Sequence, residues 1–188
     1  SVLKLFDLTA ASTGLNEKQA RAAGVAYDKV VTYSASHASY YPGARNMTVK
    51  TLFDPAPGRI LGAQIVGFDG VDKRMDVLAA AIRAGLTAEQ LTELDLAYAP
   101  PYGSAKDPVN MAGYVIENVR AGLVEQHHWD AVAELPADGS VILLDVRTPG
   151  EVRKQGLLRS DALHIPLDEL RGRLGELDKG KKIYVNCY

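Results

Sequence analysis

Cysteine is almost missing from this chain of 188 residues: Cys187 stands alone. A single thiol cannot form an internal disulfide, so a secreted, cross-linked scaffold is excluded and the residue is either reactive or an inert buried thiol. Long hydrophobic runs are missing as well. The longest, Val77 to Ile82, falls far short of the roughly 18 residues a membrane span requires, and the first residues lack the layout of a signal peptide. The expectation is therefore a cytoplasmic protein with no membrane partner. Nor does one charge dominate, since 21 basic residues face 23 acidic ones for a net charge of −2. That balance gives no electrostatic footprint for nucleic acid. Internal repeats and low-complexity tracts are absent, which sets aside solenoids and disordered linkers. No Gly-x-Gly-x-x-Gly run follows a strand pattern, so no dinucleotide-binding turn is expected within these residues, and no metal ligand set is read from them.

What is present is an ordinary globular composition, 47% hydrophobic and 23% charged, enough for one or two compact domains. Ser1 to Leu8 alternates apolar with polar residues and reads as one strand with a buried face. Asn16 and Gln19 form a capping box for a short helix that stops at Gly24. Three strands are predicted over 29–34, 47–53 and 59–68, the last two joined in an antiparallel hairpin by the turn formers Asp54-Pro-Ala-Pro-Gly58. Apolar residues at Val71, Met75, Leu78, Ala79 and Ile82 carry the helical period, Thr87 and Gln90 cap a short helix, and Asp107-Pro108 opens another reaching about Arg120. Residues 1–122 thus read as an α+β module, an antiparallel sheet with helices on one face.

Beyond Gly122 the pattern changes. Val141 to Val146 and Lys182 to Asn186 are short apolar runs separated by helical stretches, as in a parallel α/β sheet, so residues 123–188 read as a second module. Thr148, Pro149 and Glu151 fit the N-cap, N1 and N3 positions of a helix following the first of these strands.

Two segments of the first module stand out chemically. Ala97-Tyr-Ala-Pro-Pro-Tyr-Gly-Ser-Ala-Lys-Asp-Pro108 holds three prolines that stiffen the backbone around Tyr98 and Tyr102. His37-Ala-Ser-Tyr-Tyr-Pro-Gly43 again sets Tyr40 and Tyr41 beside a proline. Rigidly held hydroxyls can stabilise a developing thiolate by hydrogen bonding, although tyrosine beside proline also serves as a packing anchor. Asp72, Lys73 and Arg74, mixed charges beside a helix start, read as a solvated face or interface pairs rather than as a catalytic or phosphate-binding cluster.

Ala38-Ser-Tyr-Tyr-Pro-Gly43, Gly70-Val-Asp-Lys-Arg-Met-Asp-Val-Leu78 and Ala97 to Asp107, in that order, closely resemble the dimerisation domain of coenzyme A disulfide reductases. The resemblance implies a homodimer in which this domain follows FAD and NAD(P)H domains. It further implies that two tyrosines, at the positions of Tyr40 and Tyr98, reach the redox-active cysteine and flavin site of the other subunit, with Tyr41 and Tyr102 as second choices. The implied substrate is coenzyme A disulfide or persulfide. FAD, NAD(P)H and coenzyme A belong to the whole flavoprotein, and none is expected to bind these residues alone. Classical disulfide reductases bring a His-Glu pair across the dimer, whereas His37, His127, His128 and His164 lie in no comparable context, which favours the single-cysteine branch. A phenol with an ordinary pKa of about 10 stays protonated at neutral pH and can donate without titrating.

In the second module, Asp145-Val-Arg-Thr-Pro-Gly-Glu-Val152 and His164-Ile-Pro-Leu167 resemble markers of the rhodanese family, and Cys187 arrives where rhodaneses place their nucleophile. The resemblance implies a persulfide-carrying Cys187, with Asp145 and Arg147 either an ion pair steadying the turn or secondary participants. It also implies that the rhodanese-like unit stops after Cys187-Tyr188, short of the amide loop that activates such a cysteine, leaving this stretch inactive on its own. Two other readings remain open: a rhodanese-type sulfurtransferase on a dimer scaffold, and a non-catalytic homodimerisation module.

Overall fold

Period-two alternation of apolar residues builds the first sheet in the computed structural model, which describes residues 1–187. Its strands are β1 (Val2–Leu5), β2 (Leu8–Gly14), β3 (Asp28–Ala35), β4 (Asn46–Phe53) and β5 (Ile60–Gly67). They lie in the order β1-β2-β5-β4-β3, all neighbours antiparallel. The register aligns Val30 with Thr51 and Ala63, and Thr32 with Val49, Ile65 and Ala11. All of these are buried, so one face of the sheet is the core face.

Helices α2 (Val71–Ala84), α3 (Ala88–Thr92) and α4 (Pro108–Arg120) supply the other half of that core through Met75, Leu78, Leu91, Val109 and Ile116. A short α1 (Glu17–Ala22) serves the opposite face, where Glu17 pairs with Lys29 and Lys50. The caps follow the sequence. Asn16 and Gln19 exchange side-chain and backbone bonds, as do Thr87 and Gln90, and the Asp107 carboxylate accepts from the Val109 amide behind Pro108 at N1. The α+β architecture read from the sequence is the one observed.

One element departs from expectation. The first eight residues are not a single strand, because the chain reverses at Phe6-Asp7 and runs back as β2. Phe6 adopts φ 52°, a left-handed conformation that hairpin turns usually give to Asn or Gly. A sequence of Phe-Asp carries no such signal, and the small residues of Thr9-Ala-Ala-Ser-Thr13 do not advertise a strand. Nor does β1 have a buried face: all four of its residues are exposed.

The chain divides into two compact units, Ser1–Glu125 and Gln126 onward. The second contains a three-stranded parallel sheet in the order β7-β6-β8, formed by β6 (Val141–Asp145), β7 (Leu163–His164) and β8 (Lys182–Asn186). It is accompanied by α5 (Pro149–Gln155), capped by Thr148 and Glu151, and by α6 (Leu167–Arg173). Leu144, Val146 and Ile165 form its buried centre. Among the described residues no helix is long and apolar enough to cross a membrane.

Candidate functional site

The β3–β4 connection and the segment between α3 and α4 meet at one end of the first sheet. In the first, the Ser36 amide donates to the Arg45 carbonyl, and the His37 ring spans from the Ser36 hydroxyl (3.1 Å) to the Pro42 carbonyl (3.3 Å), closing the loop on itself. In the second, the amides of Tyr102 and Gly103 donate back to the Ala99 carbonyl, forming a tight turn after the Pro100-Pro101 pair. The Ala38 amide joins the two by donating to the Gly103 carbonyl at 2.8 Å.

That junction brings together two of the tyrosines singled out from the sequence. The hydroxyls of Tyr40 and Tyr98, 58 residues apart, lie 3.0 Å from each other. Tyr40 is 75% exposed and Tyr98 47%, so the pair stands at the surface with its oxygens open to an incoming group. The hydrogen bond shared with Tyr40, with some desolvation, holds the Tyr98 phenol protonated above its ordinary range. Tyr41 and Tyr102 are not part of this pair. Tyr41 packs edge-on against the His37 ring at 5.8 Å, and Tyr102 is exposed.

Beneath the pair is a feature that sequence reading misplaced. Arg74 is neither on a solvated face nor left for an interface pair: it is 2% exposed, heads the fully buried side chains by size and pairs with Asp107 of its own unit. Its guanidinium donates to Asp107 Oδ2 from Nε (3.0 Å) and Nη2 (2.8 Å), and Nε also reaches Oδ1 at 3.3 Å. It also donates to the carbonyls of Ser36 (2.9 Å), Gly70 (3.2 Å) and Tyr102 (3.4 Å). Gly70 permits this, because at φ 65° a Cβ would stand 2.1 Å from Nη1. The missed signal is the helical period itself. Arg74 falls on the same stripe as Val71, Met75 and Leu78, and an arginine on an apolar stripe must be buried with a partner.

In the second unit the Asp145-x-Arg147 motif forms another buried ion pair. Arg147 donates to Asp145 through Nε (3.0 Å) and Nη2 (2.6 Å), and its remaining donors reach the Gln155 side chain and the Gly156 carbonyl. The Arg147 hydrogen bonds hold the Asp145 carboxyl below the usual carboxylate range. With every edge of the guanidinium engaged, the pair fixes the turn from β6 into α5. His164 reads the same turn, its Nε2 lying 2.8 Å from the Arg147 carbonyl. Asp145 sits opposite Asn186 in the parallel register, and Cys187 follows directly, exposed. Tyr188 lies outside the described residues. No group of three or more His, Cys, Asp or Glu side chains among them is placed to hold a metal ion.

The sequence pattern of the pyridine nucleotide-disulphide oxidoreductase dimerisation domain matches residues 1–108. The chain belongs to that family. The coenzyme A disulfide reductase of Staphylococcus haemolyticus is 45% identical over 114 residues, which cover 61% of this chain and 26% of the relative. The reduced Bacillus anthracis CoADR-RHD superposes with a TM-score of 0.94 at 49% identity, and the NAD-dependent persulfide reductase of A. fulgidus with 0.87 at 41%. Each match covers all of this chain and 33% of the solved one. The chain therefore spans about a quarter of the length of the curated relatives it matches. In family terms, the tyrosine junction lies within the dimerisation domain. The strands of that domain are antiparallel, and the β5–α2 turn, Gly67-Phe-Asp-Gly70, lacks the three-glycine spacing of a dinucleotide-binding turn.

Proposed function

We propose that this chain is the dimerisation region of a homodimeric flavoprotein that reduces coenzyme A disulfide or persulfide with NAD(P)H, and that it lends Tyr40 and Tyr98 to the partner subunit's cysteine and flavin site. The observation that carries this reading is the exposed hydroxyl pair at 3.0 Å. Two phenols in contact form a short relay. One donates to the other, and the second directs its own proton outward. Donation in series strengthens the outer hydrogen bond, and a pre-positioned donor stabilises charge without reorganising as the charge develops. The thiolate expelled when a disulfide or persulfide is attacked by a cysteine is such a charge.

Names of the relatives supply the substrate class and the nicotinamide. Residues 1–125 hold no glycine-rich strand-to-helix turn of the dinucleotide-binding kind, so FAD and NAD(P)H are assigned to other parts of the longer protein and no step on this chain runs through them. In the full-length protein, Tyr40→Phe combined with Tyr98→Phe is expected to lower turnover of coenzyme A disulfide or persulfide by about 10²-fold or more, in line with the loss of one oriented donor. Undiminished turnover would sink the assignment.

A second reading concerns the unit from Gln126 onward. An exposed cysteine after β8, beside a turn locked by Asp145 and Arg147, supports a rhodanese-like role in which Cys187 carries a persulfide. If the sulfur-transfer rate of the full-length protein survives Cys187→Ser, that role is wrong.

A further inference from the structure

The bonds of Arg74 reach both tyrosine loops. Its Nη2 holds the Ser36 carbonyl, at the root of the loop that carries Tyr40, and the Tyr102 carbonyl, in the turn behind Tyr98. Its Nε and Nη2 hold Asp107, where that second loop becomes α4, and its Nη1 holds the Gly70 carbonyl at the start of α2. One guanidinium therefore ties both loops to the same helix. From this geometry we infer that Arg74, with Asp107 as counter-ion, is the positioning residue for the Tyr40–Tyr98 hydroxyl pair, setting the spacing of the two loops so that the phenol oxygens meet. The inference rests on the tyrosine role proposed above.

The physical need is plain. Tyr40 and Tyr98 are exposed side chains on loops, so little packing fixes where their hydroxyls lie. A productive donor must be held to within about 0.5 Å, and that precision has to come from the backbone beneath. Arginine suits the task because its planar fork satisfies several acceptors in fixed directions. A lysine ammonium is a point charge that could keep Asp107 paired without spanning Ser36, Tyr102 and Gly70 together.

Arg74→Lys is accordingly the discriminating variant. In the 188-residue chain, ring-labelled tyrosine NMR, with Tyr98 assigned through Tyr98→Phe, reads the Tyr98 phenol directly. The variant is expected to stay folded while Tyr98 loses its upward-displaced titration, ending where Tyr40→Phe leaves it. A folded Arg74→Lys protein with Tyr98 titrating as in wild type overturns the inference. In the full-length protein, Arg74→Lys should lower turnover at saturating substrate toward the level of the Tyr40→Phe, Tyr98→Phe protein, and add no further loss in that background. An equal fractional loss in both backgrounds marks a merely structural role and overturns it too. If Arg74→Lys fails to fold, Asp107→Asn, which keeps an acceptor for the Val109 amide, takes its place under the same readouts. Should the tyrosine replacements leave turnover intact, the catalytic reading falls, and the Tyr98 titration still decides whether Arg74 sets the pair.

Discussion

Both units rest on a buried, bidentate Arg–Asp pair next to a helix start, Arg74 with Asp107 and Arg147 with Asp145. Such pairs are costly to break from one side, because the remaining charge stays buried without an answer. Arg74→Met should therefore destabilise the first unit by about 3–5 kcal/mol, and Arg74→Met with Asp107→Asn by clearly less than the sum of the two single changes, as urea titration can establish. A different balance governs Glu17. Burial by itself raises its carboxyl, yet the ammonium groups of Lys50 and Lys29 outweigh that and hold it at about 2, against an unperturbed 4.5. A carboxyl depressed in the folded state contributes stability above its unfolded pKa and loses it as pH falls toward the folded value. Glu17→Gln should thus cost on the order of 1–2 kcal/mol at pH 7, and the gap to wild type should close between pH 4.5 and 2. A gap of constant size down to pH 2 would show that the ion cluster contributes nothing.

Among the elements, β5 tolerates least. At Gly62 a Cβ would stand 1.8 Å from the Leu15 carbonyl oxygen, where the chain leaves β2 for α1. Since the obstacle is backbone rather than a movable side chain, Gly62→Ala should cost about 3 kcal/mol or more, at or beyond the upper end of ordinary overpacking. A melting temperature within a degree or two of wild type would refute that account. The elements legible in advance are those whose termini are written in side chains: the capping boxes at Asn16, Thr87, Asp107 and Thr148, and the Pro-Gly turn between β4 and β5. The β1–β2 hairpin was illegible because Phe6 is held left-handed by the pairing on either side of it, not by its own preference. The same division runs through the site. Tyr40 and Tyr98 could be picked out by their prolines and by family resemblance, but their contact depends on a β3–β4 hairpin and an α3–α4 connection that meet only in the folded unit. Arg74 is legible only from its place on the helical stripe, since its charge alone points to the surface.

At the scale of the molecule, the two units differ most in what they bury. The first closes a sheet of five strands over three helices with a continuous core running from Ala11 to Ile116. Among the described residues of the second, Leu144, Val146 and Ile165 form the buried cluster, Leu143 is buried as well, and neither α5 nor α6 has a buried residue. Leu157, Leu158, Leu167, Leu174 and Val185 are left exposed. A buried aliphatic side chain contributes about 1.5–3 kcal/mol, while ordering each backbone residue costs about 1–2 kcal/mol. A unit of this size with so small a core should therefore be marginal. Its parallel strands pair through non-local contacts that the Asp145–Arg147 pair can orient but cannot replace. Hydrogen exchange followed by mass spectrometry should accordingly show the amides of β6 and β8 exchanging through unfolding of their own unit, orders of magnitude faster than those of β3, β4 and β5, with two separate thermal transitions. Equal protection in both sheets, or one transition for the whole chain, would mean that the second unit draws stability from something other than its own core.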